Sequence, residues 1–170
     1  AAAGARLAAS PLALANETEV LITMVTGPEA LEALLWGEEG AAAALGPGKT
    51  LINMSSVPPA YTLELAEQLA PLGVEFIDAP VSGTKKPAEE GTLIILASGN
   101  REKIEALDSI WQALGKKVVY CGPVGQGSMM KMTINLLLGV MLAGLTEAVH
   151  FGRQGGLDLE AILEVILSGP

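Results

Sequence analysis

Apolar residues in this chain fall into short β-branched runs separated by stretches with helical spacing. Val20 to Val25 (VLITMV) reads as a strand that stops at the turn Thr26-Gly27-Pro28. Pro28 suits the first turn of a helix, which Glu29 to Leu35 supplies. After the Gly46-Pro47-Gly48 turn, Thr50 to Met54 reads as the next strand and Pro58 to Leu69 as the next helix. Val74 to Ile77 is a third strand, ending in Asp78-Ala79-Pro80. A polar loop from Val81 to Gly91 leads to a fourth strand, Thr92 to Ala97. Asn100 suits the N-cap of a helix that reaches Leu114 and is stopped by Gly115. Val118 to Cys121 is a last strand, followed by the glycine-rich stretch from Gly122 to Gly127. Beyond it the alternation ends: Ser128 to about Gly152 reads as one long helix and Asp158 to Leu167 as another.

Strands alternating with helices imply an α/β fold with a parallel sheet, and two successive helices imply the start of an all-helical domain. The expected division is residues 1–125 and 126–170. The most apolar run, Leu136 to Leu145, is ten residues with two glycines inside. A bilayer needs about 20, so the expectation is a buried helix and no membrane. Ala1 to Ser10 is alanine-rich, with one arginine and no leucine-rich core, so no secretory signal is read there and a cytoplasmic location is expected. Both ends read as cut: there is no initiator Met, and Ser168-Gly169-Pro170 stops just after a helical pattern.

Composition narrows the function classes. Half of the 170 residues are apolar and 17% are charged, which excludes intrinsic disorder. Ten Lys+Arg against 19 Asp+Glu give a net charge of −9, so no nucleic-acid partner is expected. One cysteine, Cys121, and one histidine, His150, exclude a disulfide framework and a Cys- or His-based metal centre.

Three motifs mislead. Gly48-Lys49-Thr50 mimics the end of a P-loop, but Ala43 stands where the earlier glycine is required and the segment opens a strand. Asn53-Met54-Ser55 matches a glycosylation acceptor, which means little without a secretory signal. Gly125-Gln126-Gly127 follows a strand and opens a helix as a dinucleotide fingerprint does, but Met130 occupies the small-residue position and no later strand completes the unit.

Lys131 is the informative residue. It is the only charged residue from Val118 to Thr146, in the first turns of an apolar helix. A helix N-terminus and burial both disfavour a cation. Asn135, four residues on, shares its helix face. Together they offer a proton donor and an amide that orients a substrate oxygen. The other reading is a lysine snorkelling to the helix rim, with Asn135 satisfying a backbone group. Ser82-Gly83-Thr84, just past a strand, is a second candidate. Its glycine and two hydroxyls make a turn able to hold a carboxylate, with Lys85 and Lys86 adding positive charge; an ordinary solvated turn is the alternative. Val25-Thr26 and Ser55-Ser56 lie at strand ends, where α/β sheets bind cofactors, although Ser and Thr are also common turn residues there.

The stretches LITMVTGPEAL (21–31), INMSSVPPAYTLELA (52–66), DAPVSGTKKPAEEGTLIILASG (78–99) and GPVGQGSMMKMTINLLLG (122–139) resemble the β-hydroxyacid dehydrogenase family in order and spacing. The loop with KKPAEEG followed by LIILASG is most similar to the glyoxylate/succinic semialdehyde reductase branch; 3-hydroxyisobutyrate dehydrogenases are the neighbouring branch. The resemblance implies a partial Rossmann-type sheet, NADP or NAD as cofactor, a carboxylate substrate and a homo-oligomer. It implies that Lys131 protonates the carbonyl oxygen and that Asn135 helps hold the substrate. It also implies that Ser82, Gly83 and Thr84 bind the substrate carboxylate, and that Val25, Thr26 and Ser56 line the nicotinamide cofactor. Thr84 departs from the family, where many relatives carry a second glycine. The family's opening strand and G-x-G-x-x-G turn are not in this sequence.

Overall fold

The computed structural model describes residues 4–169. Residues up to Met132 form one compact body and those from Thr133 another. The first body opens with a helix that the hydrophobic pattern does not disclose, α1 (Pro11–Glu17), capped by Ser10. Then come β1 (Val20–Thr23), α2 (Pro28–Trp36), a 3-10 turn (Ala41–Ala44), β2 (Thr50–Asn53), α3 (Pro59–Leu69) and β3 (Glu75–Asp78). The segment read as a loop contains a two-residue strand, β4 (Val81–Ser82), and a short helix, α4 (Lys85–Glu89). β5 (Leu93–Ser98), α5 (Arg101–Ala106), α6 (Asp108–Leu114), β6 (Gly115–Gly122) and the start of α7 (Gln126–Gln154) complete it.

The sheet has the expected Rossmann-type α/β class and is mixed in strand direction. β1, β2 and β3 are parallel neighbours, and β5 pairs in parallel with β6. β5 runs against both β3 (Asp78 opposite Ser98) and β4 (Val81 opposite Ile95, Ser82 opposite Ile94). The reason is chain length. Residues 83–92 are too few for the crossover that a parallel return requires. β3 and β4 thus form one bent line of chain, interrupted at Ala79-Pro80, whose end carries Ser82 past the carboxyl edge of β1 to β3.

Both faces of β2, β3 and β5 are covered, which is why these strands read as continuous apolar runs. Side chains alternate between two cores. Leu51 and Phe76 face α1 to α3 with Leu21, Leu35, Leu65 and Leu69. Ile52 and Ile77 face α5 and α6 with Ile95, Ile104 and Trp111. The helix expected from Asn100 to Leu114 is broken at Leu107. There the Ile104 carbonyl accepts from Leu107 N (3.2 Å) and from the Trp111 indole N–H (2.8 Å) instead of continuing the α-helical ladder. Lys49, of the false P-loop, donates to the carbonyls of Ala15 and Thr18 and so closes the end of α1.

In the second body, α7 continues to Gln154 and α8 (Leu159–Ser168) follows, capped by the Asp158 carboxylate on Glu160 N (2.8 Å). The two meet at Gly152, where an added Cβ would lie 2.8 Å from Ile162 Cδ1. The expectation that Leu136 to Leu145 is buried is not met: Leu136 is 69% exposed and Leu142 65%. Counting only the uninterrupted apolar run also understated this helix. By length and composition alone, the 29 residues of α7 suffice to cross a membrane.

Candidate functional site

The carboxyl ends of β1 and β2 are held together by Asn53, which is fully buried. Its Oδ1 accepts from the Thr23 hydroxyl (3.0 Å) and from Ser55 N (3.1 Å), and the Ser55 hydroxyl in turn accepts from Val25 N (3.0 Å). The backbone after both strands is therefore fixed. Thr26 and Ser56 are left exposed and Val25 half-buried at the rim. Thr26, Gly27, Pro28, Glu29 and Ala30 line an open depression of about 360 Å³. Beside it, a Cβ on Gly27 would meet nothing within 4 Å. Asn53 Nδ2 is buried without a hydrogen-bond partner among the described residues. The exposed Thr26 hydroxyl and the open backbone at the start of α2 could hold part of a dinucleotide along this rim. Among the described residues there is no glycine fingerprint for its pyrophosphate.

The turn at 82–84 is shaped by Gly83. Its φ of +139° is a conformation that L side chains rarely adopt, and an added Cβ would sit 2.7 Å from Leu93 Cδ2. Ser82 is half-buried; Gly83 and Thr84 are exposed. Thr84 occupies the cap position of α4 without a side-chain cap bond, so its hydroxyl is not consumed there. Lys85 and Lys86 do not simply add positive charge, as expected from sequence. Each pairs with a glutamate four residues on, Glu89 at 3.7 Å and Glu90 at 3.8 Å.

Lys131 lies in the second turn of α7, half-buried, and its ammonium has no ion-pair partner among the described residues. Asn135 belongs to the second body and is exposed on α7.

Sequence reasoning missed the group that seats this helix. Asp78, fully buried at the end of β3, accepts from the Ser128 hydroxyl (2.8 Å) and Ser128 N (2.9 Å) of α7 and from the Ser98 hydroxyl (2.9 Å) of β5. Ser98 Oγ accepts from Gly127 N (2.9 Å), and Ser128 and Thr62 share a hydroxyl–hydroxyl bond of 2.9 Å. Burial pushes the Asp78 carboxyl above the usual carboxylate range, and the hydrogen bonds from Ser128 and Ser98 oppose that shift without cancelling it. The signal available in the sequence was an acid ending an apolar strand, where a buried charge requires partners. The glycines of the false fingerprint serve this packing: a Cβ on Gly127 would lie 2.4 Å from Leu96 O.

Residues 1–122 match the family described as the NAD binding domain of 6-phosphogluconate dehydrogenase. Residues 125–170 match that described as NAD-binding of NADP-dependent 3-hydroxyisobutyrate dehydrogenase. The chain is 32% identical over 166 residues to glyoxylate/succinic semialdehyde reductase 2, chloroplastic, of Arabidopsis thaliana, covering 98% of this chain and 46% of that protein. It is 34% identical over 164 residues to the cytokine-like nuclear factor N-PAC of Aedes aegypti, covering 96% of this chain and 29% of that protein. Mycobacterium tuberculosis 3-hydroxyisobutyrate dehydrogenase, solved with L-serine, superposes with a TM-score of 0.83 at 26% identity, over 94% of this chain and 53% of that one. The chain thus spans about half or less of the length of these relatives. With family models matching both parts of the chain, it belongs to the β-hydroxyacid dehydrogenase family, and residues 1–122 are an NAD-binding domain.

Proposed function

We propose that the protein reduces a small carboxylate-bearing aldehyde, of the glyoxylate or succinic semialdehyde kind, to the hydroxyacid. The observation that carries this reading is Lys131: a half-buried, unpaired ammonium on the opening turns of α7, in a body that also presents the turn at 82–84. Ser82, Gly83 and Thr84 hold the substrate carboxylate through backbone N–H and hydroxyl donors. The Lys131 ammonium donates its proton to the carbonyl oxygen as that oxygen becomes an alkoxide, a general-acid contribution of typically 10²–10⁴-fold. Asn135, four residues on, orients the same oxygen. Val25, Thr26 and Ser56 line the nicotinamide end of NADP or NAD, which supplies the hydride when bound.

Two other readings have support of their own. The similarity to a 3-hydroxyisobutyrate dehydrogenase favours oxidation of that hydroxyacid as the main direction. A non-catalytic binding role is the second rival, and the similarity to a protein named as a nuclear factor rather than an enzyme favours it. Steady-state kinetics of the intact protein with glyoxylate, succinic semialdehyde and 3-hydroxyisobutyrate separates the three. The proposal expects the highest kcat/KM with an aldehyde and NAD(P)H. A preference for 3-hydroxyisobutyrate supports the first rival, and cofactor binding without turnover on any of them supports the second.

The exposed apolar side chains of α7 and α8 are read as a protein-facing surface of a homo-oligomer in the cytoplasm rather than a membrane span. Lys131 and Asn135 on α7 are costly in lipid. Light scattering of the intact protein and its partition between membrane and soluble fractions test this.

A further inference from the structure

We propose that Asp78 is a positioning residue for Lys131: its carboxylate, received from the sheet, fixes both the position and the rotation of the helix that carries the proton donor. The inference deepens the functional reading above and rests on it.

A helix leaves its first N–H groups without internal partners, and they are ordinarily capped by the residue just before the helix. Beyond a local bond at Gln126, α7 is capped from the sheet. Gln126 N donates to Pro123 O (3.1 Å), Gly127 N to Ser98 Oγ of β5 (2.9 Å) and Ser128 N to Asp78 Oδ2 of β3 (2.9 Å). The hydroxyl chain also converges on the carboxylate. Ser128 donates to Asp78 Oδ1 and Ser98 to Asp78 Oδ2, so both carboxylate oxygens accept, and Ser128 shares a hydroxyl–hydroxyl bond with Thr62. The helix start sits directly on the strands, because Gly127 has no room for a Cβ: Leu96 O would be 2.4 Å away and Asp78 Oδ2 3.0 Å.

Lys131 follows Ser128 by three residues. On a helix that is the same face, about 4.5 Å further along the axis. Two bonds to Ser128, one through its N–H and one through its hydroxyl, therefore set the azimuth from which the lysine projects. A slip of one residue would swing it by about 100°. The buried anion at the helix N-terminus also offsets the unfavourable dipole that the ammonium meets there.

The test is steady-state kinetics of four variants of the intact protein, each assayed where circular dichroism shows it folded. Asp78→Ala is expected to lower kcat by at least about tenfold, since a misplacement near 1 Å costs up to ~10²-fold, with substrate KM changed less than about threefold. Asp78→Asn is expected to recover kcat to within about threefold of the parent, because its amide can take the place of one carboxylate oxygen once the Ser128 hydroxyl reverses. Leu69→Ala, in the core at the far end of α3 and 1% exposed, lowers stability without touching the helix start and is expected to keep kcat. If Asp78→Ala does not fold, Ser98→Ala, which strands Gly127 N, is read in its place and is expected to lower kcat by about fivefold or more. Unchanged kcat in the variant read, or an equal loss in Leu69→Ala, overturns the proposal. Lys131→Ala separates the two levels. If it abolishes turnover while the Asp78 and Ser98 variants are normal, the seating role is wrong and the Lys131 reading stands; if it turns over normally, both fall.

Discussion

Replacing Gly127 by alanine sets two effects of opposite sign against each other. Helix propensity favours alanine over glycine by about 1 kcal/mol in a helix interior. Against it, the new Cβ would lie 2.4 Å from Leu96 O, 2.9 Å from Asp78 O and 3.0 Å from Asp78 Oδ2, and two of these are backbone oxygens of paired strands. Reaching an ordinary contact takes a displacement of roughly 1 Å, and overpacking of this kind costs about 1–3 kcal/mol. The same displacement strips the bonds from Gly127 N and Ser128 N, each worth about 1–3 kcal/mol when a buried partner is orphaned. Sterics win: the expected net loss is about 2–8 kcal/mol, a fall in Tm of at least ~4 °C for a chain of this size. Gly139 of the same helix is the internal contrast. Nothing lies within 4 Å of a Cβ there, so Gly139→Ala is expected to raise Tm by about 2–4 °C in the 170-residue chain. Thermal unfolding followed by circular dichroism reads both. A Gly127→Ala chain that melts at or above the parent would show that the helix does not sit on the strands as described.

Three further outcomes follow from the same geometry. The folded state holds the Asp78 proton more tightly than the unfolded chain does, because burial raises that carboxyl. The associated stability is complete below the unfolded carboxylate pKa, about 4, and is lost as pH rises through the higher folded value. Asp78→Asn removes this dependence, so in urea titrations its stability relative to the parent should improve from acid toward neutral pH; a constant or shrinking difference would contradict the burial argument. Gly83→Ala forces a side chain into φ +139° and against Leu93, and should raise KM for the carboxylate substrate by about tenfold or more, equivalent to ~1.4 kcal/mol; an unchanged KM would remove the turn from the site. Trp111→Phe loses the indole bond to the Ile104 carbonyl and should lower stability by about 1 kcal/mol by denaturant unfolding, whereas an unchanged midpoint would show that the break at Leu107 has another cause.

The strands were legible because burial on both faces leaves β-branched runs with sharp turn residues on either side, and their ends fall within a residue or two for β1, β2, β3 and β5. β6 begins three residues earlier than its apolar run, because Gly115 and Lys117 pair with Leu93 and Ile94 of β5, with Lys116 bulged between them. The direction of β5 was readable in principle from the length of 83–92, but the alternation of elements suggested a parallel return. β4 was not readable at all, since two residues become a strand only by meeting Ile94 and Ile95. The break at Leu107 depends on an indole seven residues from its acceptor, which no local pattern encodes. Of the candidate site, Lys131 stood out as an isolated charge and Gly83 as a glycine in a hydroxyl-rich turn. Asp78 did not, because the groups that justify its burial lie 20 and 50 residues away in the chain.

The central claim is that one ammonium supplies the proton, and Lys131→Ala in the intact protein tests it most directly. Turnover of glyoxylate or succinic semialdehyde should fall by about 10²–10⁴-fold, while NAD(P)H fluorescence titration gives the dissociation constant of the parent. Near-normal turnover in that variant, or loss of turnover that merely tracks lost cofactor binding, would contradict the account.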